Sequence, residues 1–188
     1  MNRQNVYLLV WLTFLFIIVP MTSLAVQDER YIHVEILVNG NIEDVYKAWT
    51  TEEGIKSFFA PECKIEPKVD GAYNIYFFPS EEPGKRGAEG MRILALEQNK
   101  MFSFSWGAPR LLFPNVKKQR TLVVLRFEDL GDNKTKLILH QTGWGEGEEW
   151  DKAYEYFDNA WKNVALKRLQ DRFDNGPIKW EDPEVNHN

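Results

Sequence analysis

The sequence predicts an α+β fold in which a seven-stranded antiparallel sheet curls around one long C-terminal helix, with two short helices between the first and second strands. Three observations carry this. Apolar and polar residues alternate through six short segments between residues 63 and 142, each bounded by turn residues. Trp150, Tyr154, Phe157, Trp161, Ala165, Leu169 and Phe173 recur at steps of three or four, the spacing of one buried helix face. The 188 residues include 12 Phe, 7 Tyr and 7 Trp, enough large apolar side chain to pack one domain and too much for a disordered chain.

Taken in order, residues 1–25 read as an export signal. Arg3 is the only charge before an apolar run over residues 6–19, Pro20 ends the run, and Ser23 and Ala25 stand where small residues precede a cleavage site. The mature chain then begins at Val26 and is periplasmic or secreted. The alternative is an uncleaved anchor, because residues 21–26 lengthen the uncharged stretch towards the roughly 20 residues that span a bilayer.

Residues 31–38 alternate as a first strand and end in an Asn39-Gly40 turn. Asn41 is placed to cap a short helix, with Asp44 three residues on and Ile42, Val45 and Trp49 along one side. Thr50 and Thr51 break that helix; residues 52–59 form a second helical turn ending in Phe58 and Phe59, and Pro61 closes it. Strands follow at 63–67, 72–78, 88–97, 101–106, 121–129 and 134–142. Tyr73, Ile75, Phe77, Phe102, Phe104, Trp106, Val123, Leu125, Phe127, Leu137, Leu139 and Gln141 fall on one face. Asn74, Ser103, Ser105, Arg126, Lys136 and His140 fall on the other, as in an antiparallel sheet with one solvated side. The long helix starts with Glu148, Glu149 and Asp151, carries Lys167, Arg168 and Arg172 near its end, and stops at Asn175-Gly176-Pro177. Residues 174–188 form a polar tail in which Trp180 is the one residue expected to be anchored.

Several residue groups carry a family resemblance. They are Val45-Tyr46-Lys47-Ala48-Trp49-Thr50, Phe58-Phe59-Ala60-Pro61, the Asp70-Gly71-Ala72-Tyr73 turn, Phe104-Ser105-Trp106, Lys134-Thr135-Lys136-Leu137, and a C-terminal helix after Gly143-Trp144-Gly145. Together they resemble the SRPBCC (START-like, helix-grip) superfamily, and within it the branch named for the activator of the heat-shock protein 90 ATPase homologue. The resemblance covers residues 31–173. It implies a helix-grip domain with a hydrophobic pocket, a fold used for lipid carriage, aromatic polyketide cyclisation, plant hormone and allergen binding, and chaperone activation. Those functions share no catalytic motif. The name-giving chaperone is cytosolic, so an exported chain is not expected to meet it.

The pocket reading unites twelve residues. Tyr73, Ile75, Phe104, Trp106, Leu125, Leu139 and Gln141 come from the sheet, Trp49 and Phe59 from the short helices, and Tyr154, Phe157 and Trp161 from the long helix. Gln141, Tyr73 and Tyr154 would orient a small hydrophobic or amphipathic ligand. The same stripes equally describe a filled core.

Other chemistries find little support. With 23 Lys and Arg against 28 Asp and Glu, the net charge of -5 and the lack of a clustered basic face argue against nucleic acid. His33, His140 and His187 are far apart and Cys63 stands alone, so neither metal nor cofactor is expected, no intramolecular disulfide can form, and Cys63 reads as a buried thiol. There is no Gly-x-Ser-x-Gly elbow and no phosphate loop. The enzyme alternative, cyclase-like or hydrolase-like, uses a carboxylate with raised pKa among Glu146, Glu148, Glu149 and Asp151 beside Trp144 and Trp150. Its bland counterpart is a solvated acidic helix start. Residues 107–120, GAPRLLFPNVKKQR, mix Leu111, Leu112, Phe113 and Val116 with Arg110, Lys117, Lys118 and Arg120. Such a connection suits a lid, a peripheral contact with anionic lipid, or a cell-envelope interaction surface, unless its leucines tuck under the sheet edge.

Overall fold

A computed structural model describes residues 30–109, 111–116 and 119–180. The export segment with its cleavage site, the basic residues Arg110, Lys117 and Lys118, and residues 181–188 of the tail lie outside the described residues.

Local chemistry sets the first elements as the sequence indicates. Strand β1 (Ile32–Val38) leads into helix α1 (Ile42–Thr50), where the Asn41 side chain accepts from the Asp44 amide at 2.9 Å. Thr51 then serves two helices. Its hydroxyl donates to the Lys47 carbonyl at 2.8 Å and accepts from the Gly54 amide at 3.0 Å, ending α1 and capping α2 (Glu52–Lys56). The junction is tight enough to need glycine, because a Cβ at Gly54 would lie 2.3 Å from the Lys47 oxygen.

The strands are antiparallel, as expected, but among the described residues they number eight and divide into two sheets. Strands β2 (Glu62–Ile65), β3 (Tyr73–Tyr76) and β4 (Gly87–Ala88) make the smaller sheet. The larger runs β1-β8-β7-β6-β5, with β5 (Ile93–Glu97), β6 (Met101–Gly107), β7 (Arg120–Asp129) and β8 (Thr135–Thr142). The strand expected over 88–97 is therefore two strands. Gly87 and Gly90 take φ values of +145° and +76°, which turn the chain from β3 to β6. Ala88 pairs with Ile75, whereas Ile93 pairs with Phe104. The sheets stay stitched together, since the Tyr73 amide donates to the Met91 carbonyl and the Ile93 amide to the Gly71 carbonyl, both at 3.0 Å.

The long helix is also divided. Helix α3 (Glu148–Ala160) passes through a π-helical turn (Trp161–Ala165) into α4 (Leu166–Asn175), the Leu166 amide reaching the Trp161 carbonyl five residues back. Its inner face buries Trp150, Ala153, Phe157, Trp161, Ala165, Leu166 and Leu169 against the sheet. Beyond Gly176, Ile178 donates its amide to the Ser57 carbonyl at 2.9 Å and Trp180 its indole N–H to the Lys56 carbonyl at 2.6 Å. The start of the tail thus packs back on α2. This is the helix-grip architecture, with the core between the sheet and the long helix.

Candidate functional site

Register brings the expected pocket residues into rows. Phe104, Val123 and Gln141 lie side by side across β6, β7 and β8, as do Phe102, Leu125 and Leu139 in the next inward row, and Trp106 sits opposite Thr121. Over them Trp161 descends from the long helix, its ring centroid 5.6 Å from Trp106, 5.9 Å from Phe59 and 6.5 Å from Trp49. Phe59 closes the group, 5.4 Å from Trp49 and 6.0 Å from Trp106. Tyr73 and Phe104 extend it at 4.5 Å from one another, with Phe104 5.6 Å from Trp106. All of these side chains are buried, as are Ile75, Leu125, Leu139 and Phe157.

Tyr154 is placed differently. It lies half-buried at the edge of the cluster, donating its hydroxyl to the Tyr31 carbonyl at 2.9 Å under the Arg30 guanidinium. Phe157 is linked to it through Trp144, 5.9 Å from one ring and 5.1 Å from the other.

Three polar side chains of the cluster form one chain. The Trp161 indole N–H donates to Gln141 Oε1 at 2.6 Å, Gln141 Nε2 donates to Thr121 Oγ1 at 2.8 Å, and the Thr121 hydroxyl donates to the Trp106 carbonyl at 3.1 Å. Tyr73 donates to the Trp49 carbonyl at 3.2 Å, and burial holds its hydroxyl well above the ordinary tyrosine pKa, so it stays a neutral donor. Thr121 is a member that the expected set lacked, although its inward phase with Val123 and Leu125 was visible in the alternation of β7.

Two buried donors in this group have no partner among the described residues: Trp49 Nε1 and Trp106 Nε1. Both indoles flank Phe59 and Trp161. A buried polar group without a partner costs about 1–3 kcal/mol, so native structures rarely keep one without a use.

A family model described as activator of Hsp90 ATPase homolog 1-like protein matches residues 39–174. The chain belongs to this family. Solved structures agree on the fold. Protein MLL2253 from Mesorhizobium loti is similar at 21% identity and a TM-score of 0.61, the match covering 79% of this chain and 100% of that one. CalU16 from Micromonospora echinospora matches at 21% identity and a TM-score of 0.57, over 83% and 79% of the two chains. The Aha1 dimer from Colwellia psychrerythraea matches at 20% identity and a TM-score of 0.57, over 78% and 98%. No curated protein matches the sequence. The residue groups on which the resemblance rested lie within the matched region of this activator-homolog domain.

The acidic helix start fastens neighbouring segments to α3. Glu149 accepts from the Asn115 amide at 2.7 Å, from the Asn115 side chain, and from the Val116 amide at 3.2 Å. Desolvation pushes its carboxyl upward, but these three donors outweigh that and leave its pKa lowered. Glu148 is lowered through its hydrogen bond to Lys152, and Asp151 pairs with Arg30 at 2.5 Å. A general acid needs the opposite shift, so Glu148 and Glu149 are poor candidates for the enzyme alternative. Among the described residues, no three His, Cys, Asp or Glu side chains stand close enough to hold a metal ion, and no helix is long and apolar enough to cross a membrane.

The sign of the Glu149 shift yields a pH prediction. A carboxyl with a depressed folded pKa contributes its stabilisation above the unfolded value, near 4.5, and loses it as pH falls through the folded pKa. The Asn115 and Val116 amide resonances should therefore hold constant from neutral pH down to that value and move below it. In Glu149→Gln the same resonances should lose that titration, and a titration persisting in the variant would show that another group clamps the loop.

Residues 107–120 divide their apolar side chains. Phe113 and Val116 are buried, with Phe113 5.7 Å from the Tyr156 ring, while Leu111 is 84% and Leu112 56% exposed. A shallow open groove of about 350 Å³ lies beneath, lined by Leu112, Phe113, Glu148, Glu149 and Lys152. The leucines therefore do not tuck under the sheet edge, and the covered Phe113 packs instead on α3.

Proposed function

We propose that this activator-homolog domain is exported and binds a small hydrophobic or amphipathic molecule between the sheet and the long helix, at the aromatic group formed by Trp49, Phe59, Trp106 and Trp161. The observation that carries the reading is the pair of buried indole donors, Trp49 Nε1 and Trp106 Nε1, left without partners among the described residues in a mostly apolar group. A ligand with an apolar body and an acceptor oxygen satisfies them, as in sites where a few polar groups orient a mostly apolar guest. Access requires the rings to separate.

Native mass spectrometry of the full protein purified from its own envelope fraction, with the denatured mass beside it, tests the reading. A releasable small molecule supports it, and the denatured mass reports whether the chain begins at Val26. With that molecule as probe, Trp49→Phe and Trp106→Phe keep an aromatic ring and remove the N–H together with the second ring of the indole, so affinity is read beside the stability of each variant. Each should weaken binding about tenfold, one hydrogen bond's worth of free energy. Unchanged affinity in both folded variants would remove the indole donors from the site.

A further inference from the structure

The turn after α2 carries Phe58 and Phe59 into the aromatic group, and its own backbone holds it thinly. Helix α2 has five residues, too few to be stable alone. The amides of Phe58, Phe59 and Ala60 all donate to one carbonyl, that of Ile55, at 3.2, 2.8 and 3.3 Å. The carbonyls of Lys56 and Ser57 stand at the helix end, where a helix has no amide left to donate. The chain beyond α4 supplies those donors. Gly176, at φ +94°, turns it back, Ile178 gives its amide to the Ser57 carbonyl at 2.9 Å, and Trp180 gives its indole N–H to the Lys56 carbonyl at 2.6 Å. Helix α4 braces the contact, with Arg172 Nε donating to Ser57 Oγ at 3.2 Å and the Arg168 guanidinium 5.4 Å from the centre of the Trp180 ring. Ile178 and Trp180 are half-buried while Pro177 and Lys179 are exposed, the alternation of an extended segment laid on a surface.

We propose that residues 178–180 are a strap that holds Phe59 in the aromatic group and that releasing it opens the group to a guest, a step that rests on the ligand reading above and adds which ring moves. Phe59 lies 5.4 Å from Trp49, 5.9 Å from Trp161 and 6.0 Å from Trp106, all within the roughly 4.5–7 Å of rings in direct contact. A guest that reaches both unpartnered indoles therefore takes the place of a ring. Three of the four rings are fixed by their elements. Trp106 pairs with Thr121 in the sheet, Trp161 is hydrogen-bonded to Gln141, and Trp49 lies in α1 with its carbonyl accepting from Tyr73. Phe59 sits in a turn, has no polar anchor, touches both indoles, and on its other side meets the half-buried Phe77 at 5.4 Å. It has the shortest way out. The strap closes that way by fixing the carbonyls of the second and third residues before it.

Hydrogen exchange followed by NMR on the full protein tests this without any ligand, so failure of the strap is told apart from failure of the ligand reading, which rests on the mass measurement. Local openings expose particular N–H groups while the rest of the fold stays closed. In Trp180→Ala the Phe59 amide and the Trp49 and Trp106 indole protons should exchange about tenfold faster, the effect of losing one hydrogen bond. The Val123 and Leu139 amides, in the middle of the larger sheet, should keep their native rates. Ile178→Pro removes the other donor and leaves Trp180 in place, and it should give the same pattern. An unchanged Phe59 amide in both variants would overturn the strap. A faster Phe59 amide with both indole protons unchanged would overturn the opening, because the turn then loosens without uncovering the site. Equal acceleration at Val123 and Leu139 would overturn it too, by making the tail a part of the global fold.

Discussion

Trp161→Ala should lower the stability of the domain by about 3–5 kcal/mol, the range for truncating a large buried aromatic side chain. Trp161 is 2% exposed and touches Trp49, Phe59 and Trp106, and its indole N–H caps the polar chain through Gln141. Its removal leaves a cavity in the middle of the aromatic group and an amide oxygen without a donor. Urea unfolding should show a lower midpoint with an unchanged slope, because the surface exposed on unfolding hardly changes. Trp161→Phe separates the two contributions. It keeps a ring against Phe59 but loses the hydrogen bond and the second ring of the indole, so it should cost less than the alanine variant, about 1–3 kcal/mol. A cost for Trp161→Ala below about 1 kcal/mol is typical of a surface site and would mean that the ring borders open space in solution.

Much of this arrangement was legible beforehand, for reasons that particular residues make plain. Alternation in β7 and β8 put Val123, Leu125, Leu137 and Leu139 inward because a strand has a strict period of two and only one face of this sheet meets the helix. Asn41 and the threonine pair announced the ends of the short helices because capping is a local interaction, readable within three residues. The division of the expected 88–97 strand was not readable in that way. Gly90 signalled a break, but whether Ile93 pairs with β3 or β6 depends on partners outside the segment.

The π-helical turn left a trace in the spacing that is clear only with the coordinates. From Phe157 to Phe173 the apolar residues recur at four successive steps of four, and each such step overshoots a full turn of an α-helix by roughly 40°. A straight helix would carry the stripe off the sheet. The wider turn at Trp161–Ala165 takes up one residue and returns Leu169 to full burial. Within the site, periodicity could place Tyr154 on the inner stripe, but not show that its hydroxyl turns outward to the Tyr31 carbonyl. Nor could it show that both ends of the Gln141 amide are already engaged, because that depends on Trp161 and Thr121 arriving from separate elements.

That engagement carries the second large effect. Gln141 is fully buried, and Gln141→Ala should cost about 3–5 kcal/mol by combining a cavity with an indole N–H stranded in an apolar group. Gln141→Leu refills the volume and leaves only the stranded donor, so about 1–3 kcal/mol should remain. Adding Trp161→Phe to Gln141→Leu removes both partners of the bond, and the double variant should be more stable than the sum of the single losses by about 1–2 kcal/mol. Strict additivity in that cycle would mean that the bond between Trp161 and Gln141 is not made in solution. The cycle also bears on binding. In the native chain Gln141 Oε1 already accepts from Trp161, so a ligand that donates must displace the indole, whereas one that accepts can use Trp49 Nε1 and Trp106 Nε1 directly. Trp161→Phe frees the Gln141 oxygen and should shift preference towards donor-bearing guests, even as it loosens the core that surrounds them.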